Sequence, residues 1–144
     1  MANDIRSLCV YCGSSDGYVA SHITAAQDLG VYLANNHINL VYGGTAIGLM
    51  GAIANAVLTN GGTVTGVTTE HFHAAGITHD GVTQSVITPD MHSRKAEMMR
   101  HADAFVALPG GIGTLEEVAE ALTWAHIGHH GKPVGLLNVD GFYD

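Results

Sequence analysis

The stretch "DAFVALPGGIGTLEEVAEAL" (residues 103–122) runs from a short apolar segment through a glycine-rich turn into residues with helical spacing. A strand that ends in glycines and opens directly into a helix is one half of a parallel βα unit, and the helix start behind the glycines is a natural seat for an anion. Two adjacent glutamates, Glu116 and Glu117, lie just inside that helix. Carboxylates there would repel a phosphate, unless one of them acts on another part of the ligand.

The same strand-then-helix pattern recurs along the chain. Apolar, β-branched runs predict strands over 5–13, 38–44, 63–69, 83–88, 103–111 and 132–139. Helical spacing covers 18–36, 48–60, 92–102 and the segment from the glycine turn to about Gly128, and residues 71–79 read as a loop carrying His71, His73 and His79. Near-continuous apolar strands alternating with helices predict an α/β fold: a Rossmann-like, doubly wound parallel sheet with helices on both faces. No repeat, low-complexity tract or linker interrupts it, so residues 1–144 read as a single domain. In such sheets ligands bind beyond the carboxyl ends of the strands. Three strands end in glycine-bearing turns, "YCGSS", "VYGGTAIGLMG" and "LPGGIGT", which places Ser14, Gly44 and the third turn on one edge as candidate substrate contacts.

Composition narrows the function classes. Charged residues make up 12% of the chain, roughly half the usual share of about 25%, which suggests surface hidden in an oligomer. The net charge of −8 argues against nonspecific nucleic-acid or membrane binding. The polar, acidic start "MANDIRS" is unlike a secretory signal, and no apolar run reaches the length of a membrane helix; a cytoplasmic location is expected. Cys9 and Cys12 lie three apart on one strand, so their side chains face opposite sides and neither a disulfide nor a shared metal is expected.

The glycine turns do not fit the dinucleotide fingerprint, and no Walker lysine follows any of them. "LPGGIGTLEE" is more informative. Gly110, Gly111 and Gly113 let backbone amides approach an anion, with Thr114 adding a hydroxyl. Thr114 to Glu117 also matches a capping box, in which Glu117 would reach back to the N-cap amide, and both readings stand at this stage. Successive helical residues diverge by roughly 100°, so Glu116 and Glu117 do not face one substrate atom together. "MHSRKAEMMR" places Arg94 and Lys95 at a helix start, where cations oppose the dipole and an anionic partner would relieve them. The ten histidines form no metal-binding pattern, and neither a metal nor a cofactor is expected.

Taken together, "CVYCGSS", "LVYGGTAIGLMG", "MHSRKAEM", "ADAFVALPGGIGTLEE" and "TWAHIGHHGKPVGLLNVDGFYD" resemble the Lonely Guy (LOG) family of cytokinin riboside 5′-monophosphate phosphoribohydrolases, often mislabelled lysine decarboxylases. The resemblance covers essentially the whole chain. It implies hydrolysis of the N-glycosidic bond of nucleoside 5′-monophosphates, with Arg94 and Glu117 as the catalytic pair. Met91 and Thr123 would line the nucleotide pocket, together with Lys95, Gly110, Gly111, Gly113 and Thr114. It also implies a homodimer, and a chain short at its C-terminus relative to the family, which normally continues past "NVDGFYD" with further helix. Gly76 stands where many members carry a glutamate, and Thr45 where a third glycine is common. A nucleotide carrier without turnover and a hydrolase of plain AMP remain alternatives. A pyridoxal-phosphate decarboxylase is disfavoured, because the only lysines, Lys95 and Lys132, have no recognisable setting for that cofactor.

Overall fold

The computed structural model describes residues 4–13 and 19–144. Six parallel strands, β1 (Ser7–Tyr11), β2 (Asn39–Tyr42), β3 (Val64–Thr69), β4 (Gln84–Thr88), β5 (Ala104–Ala107) and β6 (Val134–Leu136), form one sheet in the order β4-β3-β2-β1-β5-β6. Helices α1 (Ala20–Asn35), α2 (Gly48–Thr59), α3 (Glu70–Ala74), α4 (Met91–His101) and α5 (Ile112–His126) connect them. The segment expected as a loop over 71–79 begins as α3. Thr69 caps it by accepting from the Phe72 amide at 3.2 Å, a local signal that the histidine-rich composition masked. The last strand is shorter than its apolar run, and the chain turns through a 3₁₀ segment at Val139–Gly141.

Alternation along β1 divides the core. Leu8, Val10 and Cys12 pack with Ala26 and Leu33 of α1 and Ile53 and Val57 of α2. Cys9 and Tyr11 face the other way, onto Met98 and Met99 of α4 and Val118 and Ala121 of α5. A strand apolar on both faces is what a doubly covered sheet requires. The two cysteine thiols are buried on opposite faces, as their spacing predicts.

Connections from β1 lead toward β2, whereas β5 leads toward β6 on the other side, so the strand order reverses between β1 and β5. Gly13 and Pro109, just past these two strands, are joined by a 3.4 Å backbone bond. A ligand crevice is expected at that reversal, and the cavities described below open there.

On the far face, α1 and α2 touch backbone to backbone. A Cβ built on Gly30 would lie 2.7 Å from Ala56 Cβ and 2.9 Å from the Ile53 carbonyl. Gly30→Leu is therefore expected to destabilise the fold by about 1–3 kcal/mol, the scale of an overpacked core, read as a lower urea midpoint.

Candidate active site

Arg94 is the most constrained polar side chain in the described structure. The α4 helix opens at Asp90, whose carboxylate accepts from the Ser93 amide at 2.7 Å. That bond holds the Asp90 carboxyl below its ordinary range. One turn later Arg94 enters the protein at 4% exposure. Its Nε donates to the Val67 carbonyl at 3.0 Å and its Nη2 to the Gly43 carbonyl at 3.1 Å. These carbonyls lie in β3 and just past β2, so the sheet itself fixes the guanidinium. Gly43 makes this possible: a Cβ there would sit 2.1 Å from Arg94 Nη2 and 2.9 Å from Met50 Sδ. The guanidinium also lies 5.9 Å from the centre of the Phe72 ring, at the outer range of a cation–π contact.

The face of Arg94 left over meets α5. Arg94 Nη1 lies 3.6 Å from Glu117 Oε2, with both side chains nearly buried. The helix begins one turn earlier than a capping box would require. Gly111 is the N-cap, in an extended conformation, and the first intrahelical bond runs from the Leu115 amide to the Gly111 carbonyl at 3.2 Å. Thr114 is thus the third residue inside the helix and makes no cap bond. The capping-box reading fails on that register, and Glu117 is free to turn inward. The amides of Ile112, Gly113 and Thr114 have no intrahelical acceptor, and a Cβ built at Gly111 or Gly113 meets no atom within 4 Å. The helix start is open to a ligand. Gly110 serves the turn instead, since its Cβ would fall 2.1 Å from Thr114 Oγ1.

The helix dipole predicts an ionised Glu117. The structure moves Glu117 from that expectation toward an even balance of its two forms near neutral pH. Glu117 lies in the second turn, beyond the reach of the terminal amides, and burial pushes its carboxyl up to about 7 against the opposing pull of Arg94.

These groups surround a cavity of about 410 Å³, within the range of small-molecule sites. Met91, Arg94, Gly111, Gly113, Thr114 and Glu117 are brought together on its wall. Gly44, Lys95, Gly110 and Thr123 do not line it. Gly44 sits behind the Arg94 slot at φ +84°, and Gly110 borders the adjoining cavity of about 570 Å³. Thr123 is exposed three turns along α5 and bonds its own helix at Ala119 O, 2.7 Å away. Lys95 is held on Glu116 and, at 2.7 Å, on Glu120. Ser14 lies outside the described residues.

The sequence reading missed the apolar wall, formed by Ile47, Met50, Phe72, Ile77 and Ile112. Ile77 comes from a distant segment, pinned by the Ala46 amide on the Ile77 carbonyl at 2.9 Å and the His79 amide on the Gly44 carbonyl at 2.9 Å. Only the Thr69 cap could have announced Phe72, and no local signal announces Ile77.

A doubly wound sheet with a buried Arg–Glu pair beside an open helix N-terminus, at the strand-order reversal, defines a Rossmann-like protein with its site at the sheet's carboxyl edge. The family model described as "Possible lysine decarboxylase" matches residues 50–144. The chain is 52% identical over 139 residues to cytokinin riboside 5′-monophosphate phosphoribohydrolase LOG3 of Arabidopsis thaliana, covering 96% of this chain and 65% of that protein. The LOG enzyme of Oryza sativa subsp. japonica is 54% identical over 139 residues, covering 96% and 57%. The chain thus spans about three-fifths of the length of these relatives. Among solved structures, the Moco carrier protein of Chlamydomonas reinhardtii superposes with a TM-score of 0.76 at 25% identity, covering 93% of this chain and 76% of that one. The chain belongs to the LOG family.

A carboxyl raised by burial destabilises the fold when it ionises. Its favourable contribution is whole below about 4.5, the ordinary value, and is lost as pH rises through about 7. Glu117→Gln should therefore gain on the wild type across that window, by on the order of 3 kcal/mol at the alkaline end, measured as a pH-dependent difference in unfolding free energy. Gly43→Ala, which drives Arg94 away, should raise the Glu117 carboxyl further, as read by its ¹³C titration.

Proposed function

We propose that this chain hydrolyses the N-glycosidic bond of nucleoside 5′-monophosphates, cytokinin riboside 5′-monophosphates and AMP among them, to free base and ribose 5-phosphate. The observation that carries the reading is the buried Arg94–Glu117 pair, 3.6 Å apart, set against the unbonded amides at the start of α5 in one cavity. The amides of Ile112, Gly113 and Thr114 take the 5′-phosphate, helped by the dipole at that helix end. The ribose then lies toward Glu117, and the base toward the apolar wall of Ile47, Met50, Phe72 and Ile77.

Breaking an N-glycosidic bond builds an oxocarbenium-like ribosyl cation and a departing base anion. Glu117, ionised, stabilises the cation and accepts a proton from the attacking water. A carboxyl near 7 is well matched to that proton transfer at neutral pH. Arg94 keeps the carboxylate oriented and offsets negative charge as the base leaves. Glu116, which also borders the cavity, and Glu120 are bound to Lys95, so Glu117 is the carboxylate there that no ammonium holds. Direct attack by water is the route this favours over a covalent intermediate.

Carriage of a phosphate-bearing cofactor without turnover is the second reading, favoured by the likeness to a protein titled as a Moco carrier. Incubation with AMP and isopentenyl-AMP separates the two. The enzyme reading expects free base and ribose 5-phosphate, adenosine turned over far more slowly than AMP because the phosphate contributes binding energy to the transition state, and a loss of about a hundredfold or more in Glu117→Gln. Binding of nucleotide with no base released would leave the carrier reading.

The active form is proposed to be a homodimer built on α5. Ile112, Leu115, Ala119 and Leu122 recur at helical spacing on its exposed side, with Ile112 84% exposed. An apolar stripe of that kind on a chain of low charge fits burial against a second copy. Leu115→Glu combined with Leu122→Glu should convert a dimer to monomer in light scattering, whereas an unchanged mass would remove α5 from the interface.

A further inference from the structure

We propose that Lys95 is a positioning residue, which ties Glu116 and Glu120 into a clamp between α4 and α5 and keeps their charge away from Glu117, and that it does not bind substrate. The inference rests on the hydrolase reading above.

The geometry is specific. Lys95 Nζ donates to Glu116 Oε1 and to Glu120 Oε2, the latter at 2.7 Å, and its side chain is only 11% exposed. Glu116 and Glu120 are one helical turn apart, so their side chains share a face of α5, and like charges at that spacing repel. Glu117 projects to one side of that face, toward the sheet and Arg94. Two turns of α5 thus carry three carboxylates, and adjacent residues of α4 supply the two cations: Arg94 for Glu117, Lys95 for the other two. Burial works to lower the Lys95 ammonium, and its bonds to Glu116 and Glu120 overcome that and raise it above the ordinary lysine value. A cation held so firmly, off the cavity wall, is committed to the protein.

The groups that face Glu117 come from three elements. Arg94 and Lys95 lie on α4, and Glu116 and Glu120 on α5. From β1 come Cys9 and Tyr11, with Cys12 just past its end, and all three are held protonated, first by burial, with the field of Glu117 adding to it in each. The charges that bear on Glu117 are therefore those of the four groups on the helices. Loss of the Lys95 charge frees both outer carboxylates to act on Glu117, making it harder to ionise. Loss of the Glu120 charge does the reverse.

The test is the pH profile of AMP hydrolysis in Lys95→Met, Lys95→Arg and Glu120→Gln. It is read beside the ¹³C carboxyl titration of Glu117, whose resonance is identified by its loss in Glu117→Gln. In Lys95→Met the acid limb of kcat and the carboxyl titration should both move to higher pH by about one pH unit, the scale of one charge several ångströms away at an effective dielectric of about 20. In Glu120→Gln both should move to lower pH, Lys95→Arg should restore the wild-type limb, and KM should change little. An unmoved limb with KM for AMP raised tenfold or more would make Lys95 a substrate ligand and overturn the proposal. A uniform fall in kcat at every pH, with a lower melting temperature and an unmoved titration, would make it a structural brace and overturn it equally. Should Lys95→Met not fold, the direction of the Glu120→Gln shift decides. Should the wild type release no base, the hydrolase reading fails, and the carboxyl titration still judges the clamp.

Discussion

A guanidinium taken out of water must find acceptors, and the structure is arranged around where Arg94 finds them. Two backbone carbonyls at the ends of adjacent strands, Gly43 and Val67, accept from it, and the Glu117 carboxylate lies 3.6 Å away as its charge partner. A buried ion pair held by one contact alone is a poor bargain against solvation, and further hydrogen bonds are what make it tolerable. The two carbonyls also remove the freedom of the side chain, so the position of Nη1 is set by the register of β2 and β3. That register in turn depends on a sheet apolar on both faces. Through this chain of dependence, alternation along the strands fixes the placement of a charge at the mouth of the sheet.

The glycine turns at the carboxyl edge serve different ends. The turn after β5 leaves three amides unpaired and clears space in front of them. The turn after β2 is built around Arg94. It leaves out a side chain so that Arg94 can pass, and bends through Gly44 to receive the segment at Ile77–His79. A glycine in the sequence does not say whether its missing Cβ makes room for another side chain, as at Gly43, or leaves the space in front of the backbone open, as at Gly111 and Gly113.

This explains which features were legible in the sequence. The sheet, its helices and the edge that carries the site follow from periodicity, because period-2 and period-3.6 patterns are local. The cysteine thiols on opposite faces follow for the same reason. The sequence also brings Arg94 and Glu117 into view, through a resemblance and through the cost of cations at a helix start. It does not distinguish Lys95 from Arg94: the two are neighbours in sequence, yet successive helical residues diverge, and one turns to the strand ends while the other turns to α5. The capping-box reading of Thr114 was reasonable in spacing and wrong in register, because Gly111 already occupies the N-cap. Phe72 and Ile77 come from a segment read as a loop; the local Thr69 cap places Phe72, whereas the place of Ile77 depends on a backbone bond to Ala46, more than 30 positions away in the chain.

The state of Glu117 is the outcome of opposed effects, and their order matters. Position on a helix, taken alone, argues for an ionised carboxylate. Burial argues for a neutral one and is the larger effect, while Arg94, at 3.6 Å and without a direct hydrogen bond, recovers only part of the difference. A shorter, bidentate pairing would have left a carboxylate too weakly basic to take a proton from water. Without Arg94, burial would push the same carboxyl higher still. The spacing of the pair therefore matters chemically as much as its presence. It is set by how far the sheet's carbonyls pull the guanidinium back from α5, and a group balanced near 7 is one whose charge can change as a reaction proceeds.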